Sequence, residues 1–93
     1  MYNVIQVIPK ENFTVIVYFE DGVIKKYDAK PLLNKGVFKN ISKIEDFISK
    51  CAVINNTLAW DMSGNYDTYN CIDIDPETIY NSSDTISDPL ILN

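Results

Sequence analysis

The first third of the chain contains apolar segments whose side chains would point alternately to two faces, a pattern typical of β-strands. In residues 2–8, Val4, Gln6 and Ile8 fall on one side and Ile5 and Val7 on the other. Residues 13–19 are apolar on both faces, which predicts a central strand covered on two sides. The dipeptide Asp21-Gly22 follows, and Asp-Gly between two strand-like segments is a strong signal for a tight hairpin turn. Residues 23–28 then form a third predicted strand, whose lysines favour a position near an edge of the sheet.

The clearest helical pattern lies in residues 42–50. Ser42 followed by Glu45 fits a capping box, in which each side chain accepts a hydrogen bond from a free backbone N–H of the first turn. Three apolar residues lie at the spacing of one helical face: Ile44, Phe47 and Ile48. The pattern therefore predicts one principal helix that packs on the sheet through this face.

Two short strands follow the helix. Residues 51–54 and 57–60 are apolar, and the pair Asn55-Asn56 between them tolerates the positive φ of a tight turn. The second strand ends at Trp60, the only tryptophan, which we expect in the core.

Residues 71–80 combine a strand with the start of a helix. Isoleucine alternates with aspartate, so Asp73 and Asp75 share the face opposite the apolar one. Pro76 lacks the N–H that a strand ladder needs, but its fixed φ suits the first position of a helix, and Asp75 before it is a favourable N-cap. The segment therefore predicts a strand followed by a short helical turn.

These elements together predict an α+β fold. We expect a small antiparallel β-sheet, the helix at about 42–50 packed on it, and the short helical turn after Pro76. Ninety-three residues allow one domain. We expect this domain to comprise residues 1–80, and residues 81–93 to form a loose C-terminal tail.

The composition narrows the possible functions. The chain has no histidine and no arginine, so it lacks the usual general base near neutral pH and the side chain that binds phosphate bidentately. Its lysines are spread among acidic residues and the formal net charge is −5, which argues against direct nucleic-acid binding and favours a basic partner. No apolar run approaches the length of a membrane span, so we expect a cytoplasmic protein without membrane contact. Cys51 and Cys71 lie outside any CxxC arrangement and are predicted to be half-buried thiols.

Several short motifs occur in a fixed order along residues 2–80. They are Val4 and Val7, Phe19-Glu20-Asp21-Gly22, Asp28 with Pro31-Leu32-Leu33, Gly36-Val37-Phe38, residues 41–47, Trp60, Gly64 and residues 73–80. Their order and spacing resemble those of the bacterial domain-of-unknown-function family 2442. The resemblance implies a small α+β domain without an assigned biochemical activity. It also implies a place beside another small protein, as the antitoxin-like or inhibitory half of a two-component bacterial or phage system.

Residues 65–70 lengthen the passage from Trp60 to Asp73 relative to that family, and Tyr66 and Tyr69 lie in this added loop. These tyrosines either form a contact surface or fold over the sheet and cover Trp60. We predict an interaction surface of aromatic, acidic and apolar residues in the C-terminal half: Tyr66, Tyr69, Asp73, Asp75, Glu77, Leu90, Ile91 and Leu92. Its occupant is expected to be a basic protein or a second copy of the chain.

Two alternatives concern the carboxylates. Asp73 and Asp75 could serve a metal-dependent enzyme or a ligand-binding domain, or they could be a solvated strand face followed by an N-cap. Residues 61–67 have the alternating oxygen spacing of a calcium loop, but Tyr66 stands where that loop needs glycine and Ile72 where it needs glutamate. We therefore predict a non-catalytic protein-interaction module, with no catalytic, cofactor-binding or metal-binding residue and no cofactor.

Overall fold

A computed structural model of the chain describes residues 1–65 and 67–90. The elements along these residues are β1 (Val4–Pro9), β2 (Thr14–Phe19), β3 (Ile24–Asp28), two 3-10 helices (Lys30–Leu32 and Gly36–Ile41), α1 (Ile44–Lys50), β4 (Cys51–Ile54), β5 (Thr57–Asp61), β6 (Cys71–Asp73), α2 (Pro76–Ser82) and β7 (Asp84–Thr85). The α+β class is confirmed. None of the helices in this part of the chain is long and apolar enough to cross a membrane.

The described strands form two antiparallel sheets, whereas the sequence predicts one. The first sheet has the order β1-β2-β3-β7 and the second the order β4-β5-β6. A backbone hydrogen bond from Val4 N to the Asn56 carbonyl, at 2.9 Å, connects β1 to the turn of the second sheet. The prediction of a single sheet was wrong because periodicity locates strands but does not determine which strands pair.

Both predicted hairpins are present. Gly22 has a φ of 90°, and its N–H donates to the Phe19 carbonyl at 3.0 Å between β2 and β3. Asn55 and Asn56 have φ values of 55° and 62° between β4 and β5, the left-handed conformation that asparagine tolerates. All six residues of β2 are buried, which confirms that it is a central strand covered on both faces.

The principal helix begins one residue later than the capping box predicts, because its N-cap is Lys43 and not Ser42. Ser42 has helical φ and ψ values and ends the preceding 3-10 helix, with its hydroxyl donating to the Lys39 carbonyl at 2.8 Å. Lys43 is the N-cap of α1 and makes no side-chain capping bond. The capping box was wrong because an N-cap needs an extended backbone, and the preceding 3-10 helix holds Ser42 in a helical one.

The predicted apolar face of α1 is only partly buried. Phe47 is fully buried and Ile44 is half-buried, but 37% of Ile48 is exposed. The Phe47 ring contacts the Trp60 ring at a centroid distance of 5.4 Å and the Phe13 ring at 5.1 Å. Through Phe47, α1 therefore packs against β5 and against the β1–β2 turn of the first sheet, and Phe47 is part of the buried core.

Residues 71–82 fold as the sequence predicts, with a longer helix. Ile72 and Ile74 are buried whereas Asp73 and Asp75 are exposed. The Asp75 carboxylate accepts the Glu77 N–H at 3.0 Å and so caps α2, which runs for seven residues from Pro76. The predicted short turn is therefore a helix of two turns.

The structure differs from the prediction of a loose tail after residue 80. β7 pairs with β3, which is consequently not an edge strand. The Lys25 ammonium is buried and donates to the Thr85 hydroxyl at 2.7 Å and to the Ser83 carbonyl at 3.3 Å. Further along, Asp88 accepts the Tyr18 hydroxyl at 2.8 Å. The tail prediction missed these bonds because they join residues 58 to 70 positions apart.

Tyr80 joins α2 to the β2–β3 hairpin. Its ring lies 4.5 Å from the Tyr2 ring and 5.0 Å from the Phe19 ring, measured between centroids. Its hydroxyl donates to Asp21 Oδ2 at 2.7 Å. This hydrogen bond lowers the pKa of Asp21 and raises the pKa of Tyr80, because it favours the ionised carboxylate and the neutral phenol.

Replacing Phe47 by alanine should lower the free energy of unfolding by about 3–5 kcal/mol, because it leaves a cavity where the helix meets Trp60 of β5 and Phe13 of the β1–β2 turn. Ile48→Ala is the matched control on the same helix, and since its side chain is partly exposed it should cost about 1 kcal/mol or less. Urea denaturation of both variants measures the difference. Equal losses would contradict the placement of Phe47 in the buried core.

The Tyr80–Asp21 bond predicts a pH window. Asp21 has its pKa lowered from 3.8, so its contribution to stability is present above about pH 5 and is lost as the pH falls through the folded-state pKa. Tyr80 has its pKa raised from 10.0, so its contribution is present below about pH 9 and is lost as the pH rises through the folded-state pKa. The Tyr80→Phe variant should therefore be less stable than the unchanged chain at pH 7, and the two should converge at both extremes. Tyr69→Phe is the control and should follow the unchanged chain throughout; a pH-independent deficit in Tyr80→Phe would contradict the assignment.

Candidate functional site

The residues of the predicted interaction surface do not lie together. Tyr69 and Asp73 line one depression, whereas Asp75 and Glu77 line another beside the N-terminus. Leu90 is exposed near Asp88, on the side of the first sheet that carries the Tyr18 hydroxyl. The remaining three positions of that prediction, Tyr66, Ile91 and Leu92, lie outside the described residues.

The depression at Tyr69 has the strongest features of a contact surface. Its volume is about 430 Å³, and it lies between the second 3-10 helix, the loop before β6 and β6 itself. We define the Tyr69 surface by six of its lining residues: Val37, Phe38, Met62, Tyr69, Cys71 and Asp73. Tyr69 is 98% exposed and Val37 is 59% exposed, so two largely apolar side chains and the Asp73 carboxylate line one solvent-facing depression.

Hydrogen bonds within the loop fix the position of Tyr69. Asp67 Oδ1 accepts the Tyr69 N–H at 2.9 Å, and the Asp67 carbonyl accepts the Asn70 N–H at 3.1 Å. At the start of the loop, Asp61 Oδ1 accepts the N–H groups of Ser63 and Gly64. Tyr69 is thus presented to solvent by an ordered turn, and of the two alternatives for this tyrosine the structure shows the exposed one.

The Tyr69 surface is acidic. Burial raises the pKa of the Cys71 thiol, and the nearby carboxylates of Asp73, Asp61 and Asp67 raise it further by disfavouring a second negative charge. Three carboxylates therefore act on the same side chain. A cationic group placed over this surface would be attracted by all of them.

The surface also includes a sheet edge. In the order β4-β5-β6, β6 pairs with β5 on one side and is the outer strand of the second sheet. Within the described residues no strand pairs with its other side. Edge strands offer backbone groups to which a partner chain can add.

The carboxylates do not converge on a metal-binding arrangement in the described part of the chain. No group of three or more histidine, cysteine, aspartate or glutamate side chains there could hold a metal ion. Asp61, the first residue of the calcium-like spacing, uses Oδ1 to order its own loop. Asp73 and Asp75 line separate depressions, and Asp75 caps α2.

The sequence pattern did not predict Val37, Phe38 and Met62 as parts of this surface. All three lie in segments without strand or helix periodicity. In such segments the sequence does not indicate which way a single apolar side chain points. Two signals were available: Val37 and Phe38 are an apolar pair flanked by Lys35-Gly36 and Lys39, and Gly36-Val37-Phe38 is one of the motifs of the family resemblance. Isolated apolar residues of this kind do not belong to the apolar face of a predicted helix or strand. Only the fold shows that they line the same depression as Tyr69.

Comparison with known proteins identifies a family. A family model described as "Protein of unknown function (DUF2442)" matches residues 4–85, from β1 to β7. This match confirms the resemblance seen in the sequence. No curated protein and no solved structure matches the chain.

The two thiols should differ in reactivity. Burial raises the pKa of Cys51 to about 12, whereas Cys71 lies on the Tyr69 surface and its pKa is raised less. Because the thiolate is the nucleophile, Cys71 should react with iodoacetamide at pH 8 at least about tenfold faster than Cys51. Single Cys51→Ala and Cys71→Ala variants separate the two rates by mass spectrometry, and both thiols should react alike in denaturant. Equal rates in the folded protein would contradict this burial difference.

Proposed function

The chain belongs to the family of proteins of unknown function DUF2442, and on that premise we propose that it is a non-catalytic protein-interaction module. It binds a basic partner protein through the Tyr69 surface. Its role is that of the antitoxin-like or inhibitory half of a small two-component bacterial or phage system, acting in the cytoplasm.

The exposure of Tyr69 beside acidic groups is the observation that carries this proposal. Tyrosine is enriched among the residues that dominate binding energy, since it buries a large rigid ring and offers a hydroxyl. The hydrogen bonds of Asp67 already order the Tyr69 backbone. Binding through this residue therefore does not have to order the local backbone, which reduces one part of the entropy cost of association.

The charge supports a basic partner. Asp67 and Asp73 lie close to the surface, and the whole chain carries a formal net charge of −5. Such a field accelerates association with a cationic protein and disfavours acidic competitors. A partner with lysine or arginine around one apolar anchor would pair with the carboxylates and fill the depression at Val37 and Tyr69.

The alternative of a metal-dependent enzyme or ligand-binding domain at Asp73 and Asp75 gains no support from the geometry. An acid–base or metal site needs both carboxylates to converge on one reacting group. The two side chains instead line separate depressions, and the Asp75 carboxylate accepts the Glu77 N–H.

Substitutions on and off the surface test the proposal. Partners that co-purify with the full chain from its native cell are identified by mass spectrometry, purified, and titrated against variants. Tyr69→Ser and Asp73→Lys should each weaken binding about tenfold or more. Glu20→Lys, an exposed charge reversal in the β2–β3 turn, is the charge-matched control and should change affinity less than about threefold. A partner that binds Tyr69→Ser as tightly as the unchanged chain would contradict the proposal.

Cys71 provides an independent measurement. In a Cys51→Ala background the bound partner should slow alkylation of Cys71, because this thiol lines the Tyr69 surface. Unchanged alkylation in the saturated complex would place the partner elsewhere. Light scattering of the chain alone completes the test, since a dimer abolished by Tyr69→Ser would assign the surface to a second copy instead of a basic partner.

A further inference from the structure

A second apolar depression lies along α1, where the helix meets the β1–β2 turn. Its volume is about 620 Å³. We call it the helix groove and define it by its six lining residues: Glu11, Phe13, Ile44, Glu45, Ile48 and Ser49. It shares none of them with the Tyr69 surface, so binding in this groove is independent of the proposed function.

Contacts between Phe13 and the core keep the apolar surface of the groove in place. The Phe13 ring packs edge-on against the buried Phe47 ring. The Phe13 N–H donates to the Lys10 carbonyl at 3.1 Å, and its own carbonyl accepts the Ala29 N–H at 3.0 Å. The groove therefore has a fixed shape before any partner arrives, which reduces the cost of binding.

Phe13 also adopts an unusual backbone conformation. Its φ is 61°, in the left-handed region that a bulky aromatic residue rarely occupies. This conformation lets the ring contact Phe47 on one side and line the groove on the other. The intrinsic backbone preference of phenylalanine does not explain this positive φ. The surrounding packing and hydrogen bonds must therefore maintain the conformation.

The helical face over the groove is incompletely covered. Ile48 is 37% exposed and Ile44 is half-buried, although both lie on the face that α1 turns toward the core. Seven residues give α1 a length of about 10 Å, which matches about two turns of a helix lying beside it. Helices that dock in such grooves insert residues spaced at i, i+3 or i+4, and i+7.

The charges around the groove select its occupant. The charged residues that line it are Glu11 and Glu45, while Lys10 lines a neighbouring depression instead. In a two-fold dimer through this groove, the two carboxylates of each copy would meet the same two of the other, which is repulsive. A basic segment would pair with them.

From this geometry we infer that the helix groove is a second docking site, and that it takes a basic amphipathic helix. The helix places apolar residues against Phe13, Ile44 and Ile48, and lysine or arginine near Glu11 and Glu45. The chain thus offers two independent surfaces for cationic protein segments. The Tyr69 surface, beside the edge strand β6, takes an apolar anchor, and the helix groove takes a helix.

Two synthetic peptides probe the groove. One is a fourteen-residue helix with leucine at i, i+3, i+4 and i+7 and lysine elsewhere, and the other has the same leucines with glutamate in place of lysine. Fluorescence anisotropy should show binding of the leucine–lysine peptide with a Kd of roughly 10⁻⁶–10⁻⁴ M, weakening as salt increases. The leucine–glutamate peptide should bind at least about tenfold more weakly. Equal binding of the two peptides would overturn the inference.

Matched variants separate the groove from the net charge. Glu45→Lys should weaken binding of the leucine–lysine peptide about tenfold, whereas Glu20→Lys, the same charge reversal beyond the far end of β2, should change it less than about threefold. Ile48→Asp should abolish binding, and Ile5→Asp, at a residue 61% exposed on β1, should not. Equal loss in Glu45→Lys and Glu20→Lys would show attraction by net charge alone and would overturn the proposal.

Two further measurements complete the design. Circular dichroism and urea denaturation confirm that each variant is folded before it is titrated. Tyr69→Ser should leave peptide binding unchanged, which distinguishes this groove from the Tyr69 surface. If sedimentation shows a dimer of the unchanged chain that Ile48→Asp abolishes, the groove belongs to a second copy and the peptide assignment is wrong.

Discussion

The contact between Trp60 and Phe47 holds the domain together. The Trp60 indole N–H donates to the Phe47 carbonyl at 3.0 Å, and this carbonyl is one of the last four of α1, which have no partner within the helix. The two rings are also in contact, and the Phe47 ring continues the contact to Phe13 beside the first sheet. Residues of both sheets, among them Val15 and Val17 of the first and Leu58 and Ile72 of the second, belong to the same buried cluster as this contact, so the two sheets share one core.

A buried lysine, Lys25, connects the C-terminal elements to the first sheet. Lys25 retains 8% exposure, and an ammonium group that is removed from water must be satisfied by other polar groups. The Ser83 carbonyl, the Thr85 hydroxyl and the face of the Tyr80 ring, 5.2 Å from the Lys25 Nζ, provide this environment. The same contacts tie β3 to α2 and β7. The Lys25 side chain therefore positions residues 83–85, a segment for which the sequence pattern alone indicates only polar character.

The shared core also determines which apolar groups remain outside. Phe47 and Trp60 fill the space between helix and sheets, so the neighbouring Ile48 stays partly exposed and lines the helix groove. Tyr69 lies outside for a different reason, since Asp67 fixes its backbone in a turn that faces solvent. A domain of this size has a high ratio of surface to volume, and apolar residues left at its surface beside acidic side chains suit the binding of cationic proteins.

The sequence by itself determined β1 to β6, the two tight turns and the Asp75-Pro76 start of α2, because each depends on residues within a few positions of one another. It also determined that Trp60 and Phe47 are core residues. Only the tertiary structure decided the division into two sheets, the role of Ser42 at the end of a 3-10 helix, and the pairing of β7 with β3. The same holds for the candidate site: the sequence identified Tyr69 and Asp73, and the fold added Val37 and separated Asp75 from them. Pairing, burial and juxtaposition depend on contacts between residues far apart in the chain, and local periodicity contains no information about those contacts.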